Sequence, residues 1–233
     1  MRWLDRLLRS APQLDIQQLN ALDQWRAAPA AKLDQPLTEA RLVVVDVESS
    51  GLNPHYDSLI SIGALAVNRR GVEFAQSFEV ILQQDAPSST ANILVHGIGG
   101  TQQCDGVDPG EGLLSFLQFA GKDPLVAFFA DFDRIMIGRA LDSVLAVDLD
   151  QPWLDMAWLA PALLGERAPR AKNLDDWLGA FDIHNYARHN AVADTLATAQ
   201  LLLIVLEACA RRGVRTVADL ITTARGQRWL ERR

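Results

Sequence analysis

The stretch "LVVVDVESSG", Leu42 to Gly51, constrains the fold of this chain more than any other. Leu42, Val43, Val44 and Val45 are apolar and mostly β-branched, the make-up of a strand buried on both faces. Asp46 and Glu48 follow at once. Residues two apart in a strand share a face, so both carboxylates leave the end of a core element in the same direction. Unpaired buried charge is costly. Something positive has to stand in front of them.

The remaining sequence provides a body for that strand. Its 233 residues, 49% hydrophobic and 22% charged, suffice for one sizeable domain with appendages. The net charge of −7 excludes a general nucleic-acid coater, because non-specific binding draws on counterion release by basic residues. Local binding of a short strand is still open, with metal ions supplying positive charge. Cys104 and Cys209 lie far apart without metal-ligand spacing and read as buried thiols of a reducing compartment. "MRWLDRLLRS" interleaves charges with leucines and lacks the apolar core of a signal peptide. The longest apolar run, "LLLIVL" at Leu201 to Leu206, is too short to span a bilayer. A soluble, cytoplasmic protein without a membrane segment is expected.

Residues 1–40 predict an N-terminal helical extension. Trp3, Leu4, Leu7 and Leu8 recur at helical spacing, and a second helix over Asp15 to Ala28 carries Ile16, Leu19, Leu22 and Trp25. Packing on the body is the expectation; docking to a protein partner is the alternative. Pro29 and Pro36 mark a connector.

Residues 41–210 predict the main domain. A strand over Leu42 to Glu48 precedes two β-rich runs, Leu59 to Asn68 and Val72 to Leu82, joined by the hairpin signal "NRRG". Helices follow over Ser88 to His96 and Pro109 to Ala120, the latter with Asp108 and Glu111 spaced as a capping box and Pro109 at the first turn. Further expected elements are a strand at Pro124 to Phe129, a helix at Asp133 to Val144 and a short strand at Val147 to Leu149. Helices at Leu154 to Leu163, Leu174 to Ala180 and Ala191 to Arg211 complete the domain, the last apolar nearly all round. A three-strand meander followed by alternating helices and strands predicts an α/β fold with a mixed sheet flanked by helices. Residues 211–233 read as a basic C-terminal tail with Trp229 and no assigned chemistry.

Acids gather at the ends of these elements. Asp133 lies past the fourth strand in "FFADFDR", and His189 and Asp194 lie in "RHNAVADT" at the start of the last helix. Strand ends and helix starts are where ligand sites collect in α/β sheets. Four convergent carboxylates repel one another unless a hard divalent cation such as Mg²⁺ joins them. Residues five apart on one helix point about 140° apart, so His189 and Asp194 share a cleft only if Asn190 is the N-cap and His189 lies on the preceding loop. A histidine beside a metal site is a candidate general base.

The segments "DVESSGLNPHYDSLISIGAL", "HGI", "FDR" and "HNAVADT", in this order, resemble the DEDDh 3′–5′ exonuclease family, which includes the proofreading epsilon subunit of bacterial DNA polymerase III and ribonuclease T. The resemblance spans roughly Arg41 to Leu206. It implies a ribonuclease H-like fold and two metal ions, Mg²⁺ or Mn²⁺, held by Asp46, Glu48, Asp133 and Asp194. Asp46 would bridge both ions, Glu48 and Asp194 would hold the one that activates water, Asp133 would serve the second, and His189 would take the proton. The implied reaction is hydrolysis at the 3′ end of single-stranded nucleic acid, DNA favoured, to 5′-mononucleotides. An RNA-trimming enzyme and a non-catalytic, partner-docking module are the alternatives. Ser49, Ser50, Gly51 and Leu52 would receive the terminal nucleotide, and His96 aligns near the substrate end as a substrate-binding residue, a structural histidine being the alternative.

The chain departs from that family at Phe128 and Phe129, where a His-Asn pair is usual. Core packing is the expected role of both rings, with base stacking the alternative. Asp131 is expected to cap the following helix, and His55 and His184 to lie on the surface.

Overall fold

A computed structural model describes residues 14–231, so the helix read over Trp3, Leu4, Leu7 and Leu8 falls outside the described residues. The strands are β1 (Leu42–Ser49), β2 (Leu59–Asn68), β3 (Gly71–Ile81), β4 (Leu125–Ala127) and β5 (Trp153–Asp155). The helices are α1 (Ile16–Ala27), α2 (Thr90–His96), α3 (Gly100–Cys104), α4 (Pro109–Ala120), α5 (Asp131–Leu145), α6 (Met156–Leu164), α7 (Leu174–Ala180), α8 (Ala191–Arg212) and α9 (Val217–Leu230).

The strands form one mixed sheet in the order β3-β2-β1-β4-β5. β1, β2 and β3 are the expected antiparallel meander, and β4 and β5 run parallel to β1. The hairpin turns at Arg69 and Arg70. The Asn68 side chain accepts from the Arg70 N–H at 2.7 Å, and Gly71 takes φ +117°, a conformation that side chains resist.

Alternation along β1 divides the core. Val43, Val45 and Val47 pack with Leu22, Trp25, Phe116, Leu117, Ile137 and Leu141 from α1, α4 and α5. Leu42 and Val44 face the other way, toward Leu159, Trp177, Leu201, Leu202 and Leu220 from α6 to α9. Each fully buried Leu or Val contributes about 1.5–3 kcal/mol, which ties β1 firmly from both sides. The same alternation turns Asp46 and Glu48 toward α8. Among the described residues, α8 is the one helix long and apolar enough to cross a membrane, yet 56% of its apolar window is buried inside the protein.

Helix starts follow their capping residues. Asp15 and Gln18 form a reciprocal box on α1, Asp108 accepts from the Glu111 N–H ahead of Pro109 on α4, and Asn190 accepts from the Ala193 N–H on α8. On α1 the lower half of the apolar face is buried, with Leu22 and Trp25 packed on the body and the Trp25 indole donating to the Gly121 carbonyl at 2.7 Å.

Four expectations need correction. Val147 to Leu149 is not a strand: Val147 is buried in a loop, and β4 pairs instead with Trp153 to Asp155. A three-residue strand has no periodic signal, and only the open edge of β4 selects it. β4 itself stops at Ala127, because Phe129 turns to φ +62°. Residues read as a tail form α9, opened by a capping box between Thr216 and Asp219, with Val217, Leu220 and Ala224 buried. Asp131 is not an N-cap: it lies inside α5 and pairs with Arg134 at 3.1 Å and with Arg228 of α9 at 2.8 Å. Of the two thiols, both free, Cys209 is buried and Cys104 half-buried.

Candidate active site

β1 outruns β4. Its pairing with β4 covers only Val43 and Val44, whereas pairing with β2 continues to Ser49. The end of β1 thus has one open edge, and the first turn of α5 fills it with Asp133. This side chain is buried, and the Val47 N–H reaches its carboxylate. On the other edge, Asp46 stands opposite Gly63 of β2 and Glu48 opposite Ser61.

The start of α8 closes over the same strand end. Asp194 is the fourth residue of α8 and is buried. His189 lies on the preceding loop, exposed, at φ +59°, and its backbone N–H donates to Asp194 Oδ2 at 3.0 Å. One carboxylate oxygen from each of Asp46, Glu48 and Asp194 lies within 4.8 Å of the others. Gly63 makes this approach possible. A Cβ there would stand 2.5 Å from the Ala191 carbonyl carbon, closer than atoms can pack. The Thr195 hydroxyl, near both the Gly63 and Ala191 carbonyls at 3.2 and 2.5 Å, locks helix to strand.

The acids carry more negative charge than the fold neutralises. Burial, then the neighbouring Asp133, Asp194 and Glu48, hold the Asp46 carboxyl well above the ordinary carboxylate range. Burial and Asp194 push Glu48 to about 8. Asp133 is pushed up to about 8 by burial, with its own N–H and that of Val47 opposing and Asp155 adding to the rise. Across from Glu48, the Ser61 hydroxyl is buried and has no hydrogen-bond partner among the described residues. An oxygen-only donor set, short of positive charge and flanked by an unsatisfied hydroxyl, fits a hard divalent cation; among the described residues the group holds no thiolate or imidazole, the ligands that would favour zinc.

The segment after β1 is firmly built. Ser49 Oγ donates to the Gly51 carbonyl at 2.6 Å, Ser50 Oγ accepts from the Ser58 N–H at 2.9 Å, and Leu52 is almost fully exposed. The space a Gly51 side chain would need is filled by the Asp57 carboxylate. His96 is buried: Nδ1 accepts from the Ile98 N–H at 2.9 Å and Nε2 lies 2.9 Å from Asn92 Oδ1, so both ring nitrogens are committed within this segment. The two phenylalanines part company. Phe128 packs partly buried against the α6–α9 core, whereas Phe129 is 53% exposed with its N–H donated to Asp155 Oδ1 at 3.1 Å. His55 and His184 are exposed.

Several residues of the centre carried no role in the sequence reading. Arg188 donates from Nη1 to Asp194 Oδ1 at 2.6 Å, and the Asn185 amide donates to the same oxygen. Arg139 of α5 donates to the Asp57 carbonyl at 3.0 Å and also to that of Pro54, pinning the segment after β1. Gly63 belongs with them. Arg188 sits beside His189 in "RHN" and was open to suspicion; Gly63 and Arg139 act through contacts that no local pattern announces.

The comparisons agree with this geometry. The sequence pattern of the RNase_T exonuclease family matches residues 43–202. The Bacillus subtilis PolC-type DNA polymerase III is 34% identical over 181 residues, covering 76% of this chain and 12% of that protein. A DNA polymerase III subunit epsilon-like protein of Rhodobacter capsulatus is 30% identical over 202 residues, covering 86% of this chain and 28% of its own length. The chain therefore spans less than a third of either relative. Escherichia coli exonuclease I, solved with a dT13 oligonucleotide, superposes with a TM-score of 0.64 at 16% identity, over 74% of this chain and 42% of that one. The fold is that of the exonucleases, and with most of its length matched, this chain belongs to the RNase_T exonuclease family.

Proposed function

We propose that this chain is a divalent-metal-dependent 3′–5′ exonuclease that trims single-stranded ends, DNA in preference to RNA, to 5′-mononucleotides. The observation that carries the reading is the convergence of Asp46, Glu48 and Asp194 oxygens within 4.8 Å. The Asp133 charge acts on Asp46 and the His189 backbone N–H bonds Asp194, which supports the reading, and the relatives named above support a DNA substrate. Residues 41–210 are the exonuclease unit on this reading, with 1–40 as its helical extension and α9 packed against it.

Asp46, Glu48 and Asp194 would hold one Mg²⁺ or Mn²⁺, and Asp46 with Asp133 a second. Two such ions supply charge neutralisation, a lowered pKa for bound water and a clamp on the attacking and leaving oxygens. The chain's own part is positional. β1 fixes the acids from both faces of the sheet. Ser49 to Leu52 form the floor for the terminal nucleotide, with exposed Leu52 against the base, and His96, bonded within its own segment, fixes the α2 end beside the substrate path. An imidazole nitrogen of His189 takes the proton of the attacking water. The new bond joins that oxygen to phosphorus and the P–O3′ bond breaks; the leaving O3′ takes up a proton from solvent to become the 3′-hydroxyl of the shortened strand, and a 5′-mononucleotide is released.

End-labelled single-stranded DNA and RNA oligonucleotides with Mg²⁺ or Mn²⁺ test this. Stepwise trimming from the 3′ end is expected, faster on DNA and reduced at least about a thousandfold in Asp46→Ala, since losing a central part of a catalytic unit removes most of its rate. Trimming from the 5′ end, or activity equal in Asp46→Ala, would overturn it. A docking role for the N-terminal helices is the second reading, favoured by Ile16 and Leu19, exposed at 76% and 44% on α1.

A further inference from the structure

Arg188 is a charged residue of the centre that the proposed reaction leaves without a task. Its Nη1 lies 2.6 Å from Asp194 Oδ1, and its Nε lies 2.8 Å from Oδ1 of Asp175 on α7. Asp175 is exposed and belongs to no part of the acid cluster. Among the described residues, no other Lys or Arg pairs with any of the four acids. The guanidinium is therefore anchored at the rim by Asp175 and reaches inward to one oxygen of a carboxylate at the heart of the cluster. That oxygen also receives the Asn185 amide, and the other receives the His189 N–H. Every acceptor site of Asp194 that faces these donors is occupied by the protein itself.

Building on the metal-dependent reading above, we propose that Arg188 is a displaceable counter-cation. It occupies Asp194 while the centre is metal-free, yields that oxygen when a divalent ion binds, and stays tethered to Asp175 at the mouth through Nε and Nη2, where the freed Nη1 edge of its fork holds a phosphate of the substrate strand. Three physical facts support this. An Arg–carboxylate pair and a cation–carboxylate bond compete for the same lone pairs. Like charges exclude the guanidinium and the ion from one oxygen at once, so the arginine has to move. A guanidinium beside a dehydrated phosphate binds in two-pronged fashion, which an ammonium does not. A chain of net charge −7 also needs local positive charge to keep a polyanion at its acids. Arg188 acts as a positioning residue here, with no bond made or broken on it.

The test measures Mn²⁺ affinity of the whole chain by calorimetry, alongside steady-state trimming of a single-stranded oligonucleotide. Arg188→Gln should bind Mn²⁺ on the order of tenfold tighter, the worth of one charge-assisted hydrogen bond removed from competition, while its KM for the oligonucleotide rises more than its kcat falls. Arg188→Lys keeps the charge and loses the fork; its Mn²⁺ affinity should stay within about twofold of wild type while KM rises. Asp175→Asn leaves the Asp194 pair in place and should raise KM without tightening Mn²⁺ binding. Unchanged or weaker Mn²⁺ binding in Arg188→Gln would overturn the proposal and leave Arg188 a mere anchor of its loop. Failure of the metal-dependent reading looks different: wild type and Arg188→Gln alike would bind no Mn²⁺, or Asp46→Ala would bind it as well as wild type, and the Arg188 proposal would fall with it.

Discussion

The two sides of the acid cluster meet their charge in opposite ways. On the β1 side, Asp46 and Glu48 leave a core strand with no side-chain donor on them among the described residues, and their carboxyls are driven upward by burial and by the neighbouring acids. On the α8 side, Asp194 receives Arg188, Asn185 and the His189 N–H. The strand side is rigid and unsatisfied; the helix side is satisfied by a loop that has to be held in place. The difference teaches that position and charge balance are supplied by separate parts of the chain. β1 gives position through its valines, and the segment before α8 gives balance through its polar groups.

The junction between the sides is Gly63, and Gly63→Ala should break it. The added methyl meets the backbone of Ala191, which cannot rotate away, so α8 has to retreat from β1. Overpacking of this kind costs about 1–3 kcal/mol, and a displacement of ångström size at a catalytic group costs about a hundredfold in rate. Thermal melts and the trimming assay should show both losses. A variant with wild-type rate would mean that the approach of α8 does not set the geometry.

A smaller effect sharpens the contrast in charge. Glu48 and Asp133 sit near 8 in the folded protein without metal, far above the usual carboxylate range. A raised folded pKa contributes stability in full below the unfolded pKa and loses it as pH rises through the folded one. In EDTA the melting temperature should therefore fall between about pH 5 and pH 8.5. Mg²⁺ at millimolar level should restore it, and increasingly so toward the alkaline end, where the ligands are free of protons. A pH-independent melt in EDTA would show that the strand-side acids are screened.

The smallest effect concerns the turn between β4 and α5, which leads into the helix that carries Asp133. Phe129 takes φ +62°, a left-handed conformation that costs an ordinary side chain about 1–2 kcal/mol. Asn tolerates it, and Asn stands there in the family pattern that the motifs resemble. Phe129→Asn should raise the melting temperature by about 2–4 °C. An unchanged or lower value would show that the exposed ring contributes packing that offsets the strain.

Much of the fold was legible because it rests on short-range rules. The meander was readable from β-branched runs and one Gly-closed turn. α8 was readable from its cap, since Asn190 has to leave His189 outside the helix for both groups to face one cleft. β5 was not legible: three residues carry no period, and the strand exists because β4 presents an open edge. α9 was hidden although Thr216 and Asp219 announce it, because the basic residues around them resemble a tail.

By itself the sequence determined that Asp46 and Glu48 leave a buried strand on one face, because side-chain alternation and hydrophobic burial act within a few residues. It determined the order of the motifs, and through them the exonuclease family. Only the tertiary structure decided what meets those acids. The early end of β4 opens the edge for Asp133, Gly63 admits α8, and Arg188 reaches Asp194 from an anchor on α7. These depend on distances between segments far apart in the chain, and a carboxylate responds to whatever charge lies within a few ångströms, not to its neighbours in sequence.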